Sequence, residues 1–100
     1  MTEDEIRRAL GDVLERFAPE LAGVKVVLFG SRAEGADRER SDVDLGLLGA
    51  GQLPAGLVER IRDDLEALPT LIRFDLVDLR RVGASFRKEA LRRAEVLFEN

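Results

Sequence analysis

Apolar residues recur at helical spacing over residues 3–17, where Ile6, Leu10, Val13, Leu14 and Phe17 share one face. Thr2, with Glu5 three positions later, makes a capping box ahead of them, and Pro19 closes the region. The period then changes. Residues 25–29, KVVLF, are almost wholly apolar and read as a central strand buried on both faces, ended by Gly30. Residues 31–34 have the composition of a short helix stopped at Gly35, and the charged residues 36–41 read as a surface loop. A second strand spans residues 42–48, with a glycine-rich turn at 49–51. Residues 56–68 return to the helical period: Leu57, Val58, Ile61, Leu65 and Leu68 face one way, and Glu59, Arg60, Arg62, Asp63, Asp64 and Glu66 the other. Pro54 suits its entry and Pro69 lies just past its end. A third strand is expected over residues 71–79. After Gly83 comes a helix over 85–94, with Phe86, Ala90, Leu91 and Ala94 inward and Arg87, Lys88, Arg92 and Arg93 outward, and then a short strand at 96–98. Helices and strands alternate, which gives an α/β (α+β) chain.

Composition narrows what such a chain can do. Its 100 residues suffice for one domain, residues 1–100, with a single core. Apolar residues make up 45% and charged residues 36%, a globular balance. The net charge of −4 argues against a general nucleic-acid binder, which would carry a basic surplus. With no cysteine and no histidine, thiol nucleophiles, cysteine-bound zinc and the commonest general base are all excluded. Chemistry must rest on carboxylates, arginines, hydroxyls, backbone and a hard metal. The N-terminal residues have no targeting pattern and no apolar run is long enough to span a bilayer, so no membrane association and a cytoplasmic location are expected.

The chemistry concentrates in residues 29–48, FGSRAEGADRERSDVDLGLL. On a strand, Asp42 and Asp44 point the same way, with their carboxylates several ångströms apart. Two charges at ~5 Å with an effective dielectric near 20 repel by roughly 3 kcal/mol. Such a pair calls for a divalent cation, a shared proton or open water; a solvated strand end is the bland alternative. Upstream, Gly30 permits close approach of backbone to a ligand. Ser31, at a strand-to-helix turn, offers hydroxyl and amide groups where the helix dipole favours phosphate. Arg32 adds a positive charge there, unless it serves only a surface salt bridge. An anion-binding turn beside a cation-binding pair suits a metal-bound nucleoside triphosphate. Further on, Asp75 lies inside an otherwise apolar strand, which is costly unless the group is paired or metal-bound. A structural pairing with Arg73, which shares its face two positions earlier, is the bland alternative to metal binding. Asp78, on the opposite face near the strand end, is explained by a cap or loop role and competes with Asp75 for any third-carboxylate role.

The arrangement Gly30-Ser31, ten residues, Asp42-Val43-Asp44 resembles the signature of the DNA polymerase β-like nucleotidyltransferase superfamily, and within it the minimal nucleotidyltransferase (MNT) domains that act as antitoxins beside HEPN toxins. The resemblance extends from Val24 to about Phe98. It implies the polymerase β-like fold, a mixed sheet of three to four strands packed against helices. It also implies a third metal-binding carboxylate on the strand after the Asp-x-Asp pair, with an arginine two residues before it, which Arg73-Phe74-Asp75 matches. Asp42, Asp44 and Asp75 would then hold two Mg²⁺ ions, while Gly30, Ser31 and Arg32 receive the phosphates of ATP. The partner implied is a HEPN protein encoded alongside, in a hetero-oligomer, with AMP moved to one of its tyrosines. This chain has no tyrosine of its own, so the acceptor is in trans: a protein, or else a nucleic-acid or small-molecule hydroxyl.

Other motif readings fail on spacing. The glycine gap from Gly30 to Gly35 is followed by Ala36-Asp37 where a P-loop needs lysine and serine or threonine. An EF-hand begun at Asp42 meets Leu53 at its twelfth position, and one begun at Asp37 meets Asp42 where glycine belongs. No glycine pattern of a dinucleotide-binding fold follows the first strand. The competing function is a non-catalytic module that neutralises its partner by docking.

Overall fold

The computed structural model describes residues 2–30, 42–49 and 53–99. Helix α1, Glu3–Arg16, starts on the capping box, with the Thr2 side chain accepting from the Glu5 amide and the Glu5 carboxylate accepting from the Thr2 amide. A 3₁₀ turn, Ala18–Leu21, leads into strand β1, Val24–Phe29. Strand β2 is Val43–Gly49, helix α2 Leu57–Glu66, strand β3 Phe74–Asp78, helix α3 Ala84–Leu91 and strand β4 Glu95–Glu99. The short helix expected at residues 31–34, the loop at 36–41 and the turn residues 50 and 51 lie outside the described residues.

The strands form one sheet in the order β3-β2-β1-β4. Strand β1 is central and runs antiparallel to both neighbours, whereas β2 and β3 are parallel. The parallel pair follows from the chain itself, because α2 carries it back across one face before β3 begins. Every second residue faces the same way, so two layers result. Val24, Val26, Leu28, Val43, Leu45, Leu47 and Leu76 pack beneath α1 and α2 in the larger core. Val27, Phe29, Leu79 and Ala90 form a smaller cluster on the other side, with Leu48, Val77, Leu91 and Ala94 at its margin. Helix α3 covers that second face only in part.

Three details depart from the sequence reading. Strand β3 is shorter than the expected 71–79: Leu71 is 82% exposed, and pairing with β2 begins at Phe74 because the chain is still arriving from Pro69 and Thr70. Phe86, expected inward, is 51% exposed and meets Phe29 edge-on. Arg87, expected outward, turns back onto the chain. Its Nε donates to the Leu79 carbonyl at 2.7 Å and its Nη2 to the carbonyls of Arg80 and Val82. The guanidinium thus satisfies backbone left unpaired where β3 ends, and it fixes the entry of α3 against the sheet.

Candidate active site

Strand register brings the acidic residues together. Across β1 and β2, Phe29 stands opposite Asp44; across β2 and β3, Asp44 stands opposite Asp75. Registered residues on neighbouring strands share a face, and adjacent strands lie about 4.8 Å apart. Phe29, Asp44 and Asp75 therefore form one row on the side of α3. Asp42, two residues before Asp44 and just ahead of β2, is exposed. Burial raises the Asp44 carboxyl above its ordinary range, and the charges of Asp75 and then Asp42 push it further the same way. All three carboxylates are thus close enough for their charges to be felt at one point.

Gly30 completes this corner. Its φ of +81° lies in the left-handed region that favours glycine, and a Cβ placed there would overlap the Asp44 carboxylate, with Asp44 Cγ only 3.2 Å away. Gly30 is therefore pressed against the half-buried Asp44 carboxylate. Ser31 and Arg32, expected beside it, lie outside the described residues. Among the described residues, no three acidic side chains are grouped tightly enough to hold an ion unaided. The donor set is nevertheless all oxygen and excess in negative charge, which fits a hard divalent cation whose shell is completed by phosphate oxygens and water.

Asp78 is occupied elsewhere. It pairs with Leu47 across β2 and β3, on the face opposite Asp75. Arg80 donates to it from Nε and Nη2, both at 3.0 Å, and from its backbone amide. These bonds, the Arg80 side-chain bond foremost, hold the Asp78 carboxyl below its usual range. The cap role accounts for it fully. Arg73 is exposed, and among the described residues it makes no ion pair with Asp75, so the salt bridge offered as a structural explanation of Asp75 is not formed.

A residue that sequence reasoning placed merely on the polar side of α2 also belongs to this region. The Val43 amide donates to the Arg73 carbonyl and the Leu79 amide to the Leu47 carbonyl, so alternate residues of β3 turn their backbone groups away from β2. The Leu76 carbonyl is one of these, and Arg62 Nη2 donates to it at 2.8 Å. Arg62 thereby blunts an open sheet edge. A groove of about 620 Å³ runs alongside, with Asp75, Arg62, Arg80 and Arg81 among its walls. Only the three-dimensional register reveals this, since helix periodicity marks Arg62 as surface.

The mixed sheet in the order β3-β2-β1-β4, packed against helices, matches the polymerase β-like nucleotidyltransferase fold. Residues 14–100 match the family model described as Polymerase beta, Nucleotidyltransferase. The chain belongs to that family. No curated protein sequence matches it. Among solved structures, it is similar to a proposed minimal nucleotidyltransferase, with 29% identity, 95% of each chain covered and a TM-score of 0.66. It is also similar in fold to a toxin-antitoxin complex crystallised with AMP-PNP, at 22% identity and a TM-score of 0.67, over 90% of this chain and 73% of that one. A third similar fold comes from a tri-AMPylated Shewanella oneidensis HEPN toxin in complex with its MNT antitoxin, at 18% identity and a TM-score of 0.60, over 94% of this chain and 73% of that one. No helix among the described residues is long and apolar enough to cross a membrane.

Proposed function

We propose that this chain is an Mg²⁺-dependent nucleotidyltransferase that moves AMP from ATP onto a tyrosine hydroxyl of a HEPN toxin encoded alongside, and so acts as its antitoxin. The observation that carries the reading is the register pairing of Asp44 with Asp75 on one sheet face, with Gly30 against Asp44. The similarity in fold to complexes of MNT antitoxins with HEPN toxins supports the choice of partner.

In this reading Asp42 and Asp44 would hold Mg²⁺ against the triphosphate, with Asp75 joining them to bind a second ion. The Gly30 turn receives the β- and γ-phosphates. Ser31 and Arg32 are assigned to the same phosphates from the sequence motif alone. Bound Mg²⁺ would neutralise charge on the attacking and leaving oxygens, where phosphoryl chemistry draws most of its rate. The acceptor oxygen forms a bond to the α-phosphorus as the bond to the bridging oxygen breaks. Pyrophosphate leaves with that electron pair, and the hydroxyl proton passes to the Asp75 carboxylate. The groove beside Asp75 is where the acceptor segment enters, on the side of the row away from β1.

The test mixes the protein with Mg²⁺, ATP labelled in its α-phosphate, and the HEPN protein encoded next to it. Label is expected on a partner tyrosine, and none with Asp42→Asn plus Asp44→Asn. Transfer that survives the double substitution would sink the assignment, and a tight complex without transfer would favour neutralisation by docking.

A further inference from the structure

Above Phe29, on the same side of the sheet as Asp44 and Asp75, α3 leaves a pocket of about 170 Å³ lined by Phe29, Gly30, Phe86, Glu89, Ala90 and Arg93. We infer that this pocket seats the base of the nucleotide, with Phe86 as its stacking ring, an inference that rests on the nucleotidyl-transfer reading above. Four observations converge on it.

The first is size. Sites that enclose a whole drug-sized ligand run from about 300 Å³ upward. A pocket little more than half that takes one flat heterocycle and leaves the ribose and phosphates outside. The second is the aromatic floor. Phe86 is a large apolar side chain left 51% exposed, and its ring stands at 87° to that of Phe29 with centroids 6.3 Å apart. The edge-on contact fixes the plane of Phe86 while leaving surface uncovered, and a base laid against it would remove that surface from water. The third is the polar rim. Glu89 can only accept hydrogen bonds when ionised and Arg93 can only donate them, and the edge of a nucleobase offers both complements. The fourth is position. Gly30 borders the pocket and also touches Asp44, so the pocket adjoins the phosphate turn directly. The row across the sheet then reads base pocket at β1, carboxylate at β2 and carboxylate at β3, at about 5 Å per step. A nucleotide seated here has its base at one end of the row and its phosphates between the Gly30 turn and the acids, with the acceptor arriving from the far side of Asp75.

Calorimetry on the full chain with Mg²⁺ separates this inference from the reading beneath it. ATP and inorganic triphosphate are titrated into wild-type protein, Phe86→Ala, Phe86→Trp and Glu89→Ala. Wild-type protein is expected to bind ATP more tightly than triphosphate. Phe86→Ala should weaken ATP about tenfold, in line with the loss of one base stack, and leave triphosphate unchanged. Phe86→Trp should keep ATP affinity, and Glu89→Ala should weaken ATP alone by a smaller factor. The base pocket is overturned if ATP affinity is unaltered in both alanine variants, or if ATP and triphosphate weaken together; the transfer reading survives either result. Binding of neither ligand by wild-type protein would overturn both.

Discussion

Two neighbouring rows cross the same three strands and share almost nothing else. Leu28, Leu45 and Leu76 are register partners, each at most 1% exposed, and they sit beneath α1 and α2. One residue along, on the opposite face, the same strands present Phe29, Asp44 and Asp75. The leucine row is closed by the protein's own helices and needs nothing more. The acidic row is only partly covered by α3 and brings like charges together at a cost. A sheet can carry both because its faces are independent: the dry side supplies the cohesion that lets the wet side hold repelling carboxylates in place.

If that contrast is right, damage to each row should read out differently. Leu45→Ala should have the largest effect on stability, a loss of about 2–5 kcal/mol seen in urea unfolding, because a cavity opens under two helices. Asp44→Asn should do the reverse. Transfer is expected to fall by about 100-fold or more with the loss of the carboxylate proposed as the central metal ligand, while the metal-free protein gains thermal stability at neutral pH. The sign follows from the raised Asp44 carboxyl. The folded state binds that proton more tightly than the unfolded chain, so stability falls as pH rises from the ordinary aspartate value through the folded one. The gain in Tm from Asn should therefore vanish below about pH 3.9. A fall in Tm at neutral pH would contradict the picture of mutual repulsion.

Gly30→Ala comes next. Left-handed backbone and overlap with Asp44 predict a loss of about 1–3 kcal/mol, together with weaker binding of Mg²⁺-ATP in calorimetry. Asp78→Asn should be the mildest, at about 1–2 kcal/mol at neutral pH. Because Arg80 holds the Asp78 carboxyl low, its contribution is whole above the ordinary aspartate range and is lost as pH falls through the folded value. Wild-type and variant melting temperatures should converge in acid, with transfer activity retained by the variant throughout.

Much of this was legible in the chain before any coordinates. The capping box at Thr2 and Glu5, the apolar face of α1 and the central position of β1 follow from local pattern, because cap chemistry and burial period act over a few residues. That Asp75 rather than Asp78 faces Asp44 follows from strand alternation once β2 and β3 are paired, but the pairing itself is not local. The same limit explains the misplaced arginines. Arg62 and Arg87 look like solvent-facing charges along their helices, yet each reaches carbonyls that only the fold leaves open, at the edge of β3 and at its end. Phe86 failed for a related reason: it is inward with respect to α3, but the sheet beneath it runs out at Gly30.

The most direct trial of the acidic row is crystallographic. Crystals grown with Mn²⁺ and a non-hydrolysable ATP analogue, measured at a wavelength where manganese scatters anomalously, should show a metal peak bridging Asp44 and Asp75, with phosphate density beside Gly30. A triphosphate bound there without a metal peak at those carboxylates, or manganese seated elsewhere on the protein, would contradict the account.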